Sequence, residues 1–101
     1  MEAAAVRFEL SLPATRSLKE KRAVLRPVVE GLRRMASFSV AEVDHQDRWR
    51  RCGLGVAVVA TNRRELERMM QRAERFLDRR HDVDVIQVMI SYLDHPEPRD
   101  L

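Results

Sequence analysis

Four short segments patterned as β-strands, two longer segments with apolar residues at helical spacing, and the order in which they follow one another predict an α+β fold for this 101-residue chain. The order is βαββαβ. It is the ferredoxin-like split βαβ arrangement, a four-stranded antiparallel sheet with two helices on one face. A chain of this length buries roughly two-thirds of its unfolded surface in a single core, so one domain is expected over residues 1–94. Residues 95–101 are expected to form a polar, frayed tail, because "DHPEPRDL" carries two prolines and little that is apolar.

The first strand is read in "AAAVRFELSL", where Val6, Phe8, Leu10 and Leu12 share one parity and Arg7, Glu9 and Ser11 take the other. Pro13 ends it. Ser17 is placed to cap the next segment, and Glu20 stands at the capping-box position three residues on. Leu18, Val24, Leu25, Val28, Val29, Leu32 and Met35 then recur at helical spacing, which predicts a helix to about residue 35. Pro27 leaves two readings open, a kink near residues 23–27 or a helix that begins only at about Arg26.

"FSVAEVDH" reads as the second strand, "QDRWR" as a turn or strand extension, and "CGLGVAVVA" as the third strand. Thr61 or Asn62 caps the second helix, with Glu65 at the box position after Asn62. Its apolar stripe is Leu66, Met69, Met70, Ala73, Phe76 and Leu77. "DVDVIQVMISYL" is the fourth strand.

Composition narrows the function classes. One cysteine, Cys52, excludes an internal disulfide and an iron–sulfur cluster or multi-cysteine metal site, so no cofactor is expected. No apolar run approaches the ~20 residues of a membrane span, and the chain opens on an acid rather than a basic leader, so a cytoplasmic protein without a membrane partner is expected. The net charge is +3, but residues 16–34 hold seven basic and two acidic side chains while residues 82–101 hold one basic and five acidic. That asymmetry predicts a basic surface on the first helix.

At "SLKEKR", followed by "FSVAEVDHQDRW" and "LGVAVV", the chain resembles the YlxP-like family of small bacterial proteins. The family pairs S-L-K-x-K-R with a downstream F-x-V-S-x-A-E-V-x-x-Q-D-like segment, where this chain reads "ASFSVAEVDHQD". The resemblance spans essentially the whole length. It implies a ferredoxin-like fold, no assigned activity, and, through gene neighbourhood, an association with translation. Ser17, Lys19, Lys21 and Arg22 match the first motif and Glu42, Gln46, Asp47 and Trp49 the second, with no family role attached to any of them.

The candidate anion- or nucleic-acid-binding residues are Ser17, Lys19, Lys21, Arg22, Arg26 and Arg33. On a helical wheel Lys19, Arg22, Arg26 and Arg33 share a narrow arc, interrupted by Glu30, while Lys21 falls among core positions. Its ammonium is expected in water beyond the sheet edge. Four cations at a helix start oppose the helix dipole unless something negative joins them. Glu42, Asp44, His45 and Asp47 invite a metal reading, yet alternation sends Glu42 and Asp44 to one side and His45 to the other, so no metal site is expected. Cys52 has no base adjacent in sequence, and no catalytic motif is visible. The third strand lacks aromatics, which argues against base stacking on the open sheet face. That face is expected to show Ala5, Ala57, Val59, Val85 and Met89, and Trp49, Gly53, Gly55, Ala57 and Val59 are candidates for a homodimer interface.

The function expected is a non-enzymatic binding protein that contacts structured RNA or the ribosome through a basic helix. The alternatives are a dimeric small-ligand-binding regulatory module and, last, an enzyme acting on a phosphorylated substrate at residues 17–22, which lacks a general base.

Overall fold

The computed structural model describes residues 1–93 and 97–100. Its elements are β1 (Glu2–Ser11), α1 (Leu18–Met35), β2 (Ser39–Asp44), β3 (Arg51–Ala60), α2 (Arg63–Asp78) and β4 (Asp84–Tyr92). The strands form one antiparallel sheet in the order β2-β3-β1-β4. Of the expected tail, residues 97–100 are exposed and belong to no helix or strand, while residues 95, 96 and 101 lie outside the described residues.

Alternation in β1 and β3 places the core. The two central strands pair over ten residues each, from Glu2 opposite Ala60 to Ser11 opposite Arg51. One parity of each, Ala4, Val6, Phe8 and Leu10 with Cys52, Leu54, Val56 and Val58, is buried under the helices. Leu25, Val28 and Leu32 of α1 and Leu66, Met70, Ala73 and Leu77 of α2 meet them from above.

Both helix starts are capped as their sequences ask. Ser17 Oγ accepts from the Glu20 amide at 3.1 Å, and Asn62, rather than Thr61, accepts from the Glu65 amide at 2.9 Å. Helix α1 runs unbroken through Pro27, so the late start at Arg26 does not occur. Pro27 deprives the carbonyl one turn earlier, that of Ala23, of a donor. Both residues are exposed, and water can serve that carbonyl. Gly31 is where α1 meets α2: a Cβ there would stand 2.4 Å from Phe76 Cζ, so the ring occupies the space of the absent side chain.

One expectation about the open face fails at a β-bulge. The β1–β4 register passes from Glu9 opposite Gln87 to Leu10 opposite Val85, leaving Ile86 as the extra residue. Val85 therefore turns to the helix side and packs against the core, and Ile86 is half exposed.

Candidate functional site

The two sequence motifs meet in space. Lys21, in the first turn of α1, is buried at 2% exposure, against the expectation of an ammonium in water. Its Nζ lies 2.7 Å from Glu42 Oε2 and donates to the His45 carbonyl at 2.6 Å. Helical geometry dictates this, since position 21 shares its face with Leu25 and Val28 and is carried beneath the helix over the end of β2. Buried Glu42 Oε2 has no hydrogen-bond partner among the described residues, and the ion pair with Lys21 is what offsets its burial. The charge of Lys21 is thus consumed inside the fold and unavailable to an external anion.

A second network lies on the opposite face of the sheet. The β2–β3 register shifts between Glu42 and Asp44, so Val43 is a bulge residue and Asp44 emerges on the open side, opposite Gly53. The expected alternation of the acids is corrected accordingly: Glu42 faces the helices, while Asp44 and His45 face the same network. Arg7 Nη2 donates to Asp44 at 2.9 Å and Glu9 at 3.1 Å, and His45 Nε2 lies 2.8 Å from Glu9. His45 has a φ of 62°, a left-handed conformation that costs a non-glycine residue about 1 kcal/mol. Its amide donates to Asp44 Oδ1 at 2.8 Å, and the turn aims its carbonyl at Lys21. The Asp44 carboxyl is held below the usual range, first by that amide and then by Arg7. These acids are occupied by cations of the chain itself, and no group of three or more metal-ligating side chains is assembled among the described residues.

Gly53 and Gly55 serve close approach within the chain. A Cβ on Gly53 would stand 2.8 Å from the Asp44 Cβ, and one on Gly55 would stand 2.9 Å from a Val43 methyl. Both glycines seat the β2 bulge against β3. Cys52 is fully buried on the helix side, where burial, and secondarily the charge of Glu42, pushes its thiol up to about 12. A thiol so protonated is inert.

The basic residues divide by place. Ser17 spends its hydroxyl on the cap. Arg22, Arg26 and Arg33 line a groove of about 380 Å³ between α1 and the edge strand β2, together with Glu30 and an apolar floor that includes Leu54. Arg33 also donates to the Val40 carbonyl at 3.0 Å, satisfying an edge-strand acceptor. Lys19 stands exposed at the start of the helix.

Beside this helix start lie Arg48, Trp49 and Arg50, from the segment expected as a turn or strand extension, at the tip of the β2–β3 hairpin. The Leu12 amide donates to the Arg50 carbonyl at 2.9 Å, Arg50 Nε donates to the Thr15 carbonyl at 3.2 Å, and the buried Thr15 hydroxyl donates to the Trp49 carbonyl. The tip is therefore fastened to the loop before α1, with the Trp49 indole half exposed. Among the described residues, none of Arg16, Lys19, Arg22, Arg26 or Arg48 forms a salt bridge. The interleaved "RWR" was the available signal. Trp49 does not sit with Ala57 and Val59: β3 starts beside it at Arg51 and carries those two residues to its other end, roughly 20–30 Å away at ~3.3 Å per residue.

The family profile described as "Protein of unknown function (DUF503)" matches residues 3–90. The chain is 39% identical over 62 residues to the "Uncharacterized protein YlxP" of Bacillus subtilis (strain 168), covering 61% of this chain and 67% of that one. Among solved structures, the de novo designed protein LFR1 1 with ferredoxin fold superposes with a TM-score of 0.54 at 13% identity, over 96% of this chain and 88% of the design. That likeness concerns the fold alone.

Proposed function

The chain belongs to the DUF503 family of small, YlxP-like bacterial proteins, and on that footing we propose that it is a non-enzymatic, cytoplasmic protein that binds structured RNA, free or within the ribosome. The contact surface is the exposed basic face of α1, with Lys19, Arg22, Arg26 and Arg33, joined by the Arg48–Trp49–Arg50 hairpin tip. The observation that carries the reading is the fastening of that tip to the loop before α1. It holds unpaired cations from two distant parts of the chain, and a half-exposed aromatic, at one end of the molecule. Phosphate contacts supply affinity and register for RNA, and an exposed indole stacks on an unpaired base. Lys21 has no part in this surface. A non-enzymatic role suits a site where Glu42 is paired with Lys21, Asp44 with Arg7, the His45 imidazole lies against Glu9, and the thiol is buried.

The test begins with protein purified without nuclease, whose ultraviolet absorbance ratio reports bound RNA. Affinity for total cellular RNA is then measured at several salt concentrations. The double change Lys19→Glu and Arg22→Glu removes two phosphate contacts and should flatten the log–log salt slope by about 1.5–2 units. Trp49→Ala should weaken binding roughly 5- to 150-fold, the equivalent of about 1–3 kcal/mol of stacking. Unchanged affinity and salt slope in the double variant would overturn the reading. Release of a small metabolite on denaturation, with no RNA bound, would favour a ligand-binding regulatory module instead.

A further inference from the structure

We propose that a row of arginines along the outer face of α2 is a second contact for the phosphate backbone of structured RNA, separate from the surface of α1 and the hairpin tip. At about 100° per residue, Arg64, Arg68, Arg72, Arg75 and Arg79 fall within an arc of about 80°, opposite the Leu66, Met70, Ala73 and Leu77 stripe that the helix buries. All five are exposed. Glu67, Glu74 and Asp78 keep to a neighbouring arc, so the two signs of charge are segregated rather than alternated. Among the described residues none of the five arginines forms a salt bridge, whereas Arg63 and Arg80, which lie off the row, are paired with Glu2 and Asp82.

This arrangement works against the helix itself. Arg64 with Arg68, Arg68 with Arg72, and Arg75 with Arg79 are like charges one turn apart, as are Arg72 and Arg75, and each such pair is destabilising where an acid and a base at the same spacing would stabilise. The partial negative charge of the helix C-terminus accounts for Arg75 and Arg79, but not for Arg64 in the first turn or for Arg68 and Arg72 in the middle. An anion laid along the row removes the repulsion.

Three features select a nucleic-acid backbone as that anion. The row is long: from Arg64 to Arg79 it spans about 22 Å at ~1.5 Å per residue, too far for a single phosphate group and suited to a duplex, which carries one charge per ~1.7 Å of its axis. The face is also without apolar anchors, since none of the exposed large hydrophobic side chains among the described residues belongs to α2, and a membrane surface or a protein partner needs them. Finally, one end is shaped to receive a phosphate. Arg72, Arg75 and Arg79, with Met35 and Phe76, line a hollow of about 290 Å³ that has no carboxylate in its lining. Arg72 Nη2 donates to the Met35 carbonyl at 3.4 Å, which ties the row to the end of α1. Guanidinium groups grip phosphate oxygens through paired N–H bonds.

The inference rests on the RNA-binding reading and adds a second face to it. Its test uses protein freed of RNA and a mixed-sequence RNA hairpin whose stem is longer than the row, with affinity followed by fluorescence anisotropy over a range of salt. The triple change Arg68→Gln, Arg72→Gln and Arg75→Gln removes three contacts and should flatten the log–log salt slope by about 2–3 units. Its melting temperature should equal or exceed that of the parent, because like charges are relieved, so the lost affinity is not lost folding. Lysine at the same three positions keeps the charges and should keep the slope. Lys19→Glu with Arg22→Glu, measured alongside, separates the two faces. A flattened slope in that double variant with an unchanged slope in the triple variant would overturn this inference and leave the α1 surface standing; the converse would keep the α2 row and remove the α1 surface. A parent protein that does not bind the hairpin ends both. Association of the row with phosphatidylserine vesicles or with an acidic protein, while RNA affinity is indifferent to the triple change, would assign the face to that partner and also end the inference.

Discussion

Replacing Lys21 by methionine keeps most of the buried stem and removes only the ammonium. The Glu42 carboxylate then loses its cation at 2.7 Å, and the His45 carbonyl loses its donor at 2.6 Å. Breaking a buried pair from one side costs about 3–5 kcal/mol, because the remaining charge stays desolvated. Glu42 keeps 29% of its side-chain exposure, so water relieves part of the loss and the expected cost is the low end, about 3 kcal/mol. For a domain of this size that lowers the melting temperature by roughly 12–24 °C. Glu42→Gln retains an acceptor for the ammonium and should cost about 2 kcal/mol. The double variant discriminates between a working pair and two coincidental losses. With neither charge present, its destabilisation should fall short of the sum of the singles by at least about 1.5 kcal/mol. Urea unfolding followed by circular dichroism supplies all three values. A Lys21→Met variant within about 1 kcal/mol of the parent, or an additive double variant, would refute the buried pair and return Lys21 to the solvent.

Further expectations follow from the same geometry. Cys52 should not react with a thiol reagent at pH 8 until denaturant is added, since burial holds the thiol protonated to about 12, and a chelator should leave the melting temperature unchanged. Asp82, held low by its two bonds from Arg80, and Asp44, held low by the His45 amide and Arg7, stabilise the fold above their unfolded pKa of about 4. That stability is lost as the pH falls through and below this value, so the urea midpoint should drop in acid, and Asp82→Asn or Asp44→Asn should flatten the drop. Gly31→Leu should destabilise by about 1–3 kcal/mol in thermal unfolding, because its side chain must displace the Phe76 ring. Loss of less than about 0.5 kcal/mol would mean that the two helices do not meet there.

What was legible in the sequence was local. Alternation in residues 3–12 and 52–60, the caps at Ser17 and Asn62, and the apolar stripes of both helices each follow from a repeat or a spacing within one segment, and with their order they specify the ferredoxin-like fold. The basic face of α1 was legible for the same reason. Tertiary structure alone decided the role of Lys21, whose helical angle placed it among core positions but could not reveal the carboxylate of Glu42 or the carbonyl of His45, supplied 21 and 24 positions later. It also decided the direction of Asp44 and of Val85, because a bulge reverses parity without a distinctive residue at the site. The hairpin tip with Arg48, Trp49 and Arg50 took its place beside α1 through one backbone bond, from the Leu12 amide to the Arg50 carbonyl, and two side-chain bonds to backbone carbonyls, from the Thr15 hydroxyl and from Arg50 Nε, between segments about 35 positions apart that no local pattern joins. Periodicity records which face of an element is buried; which partner meets that face depends on contacts between residues far apart in the chain, and a single sequence does not encode them as a pattern.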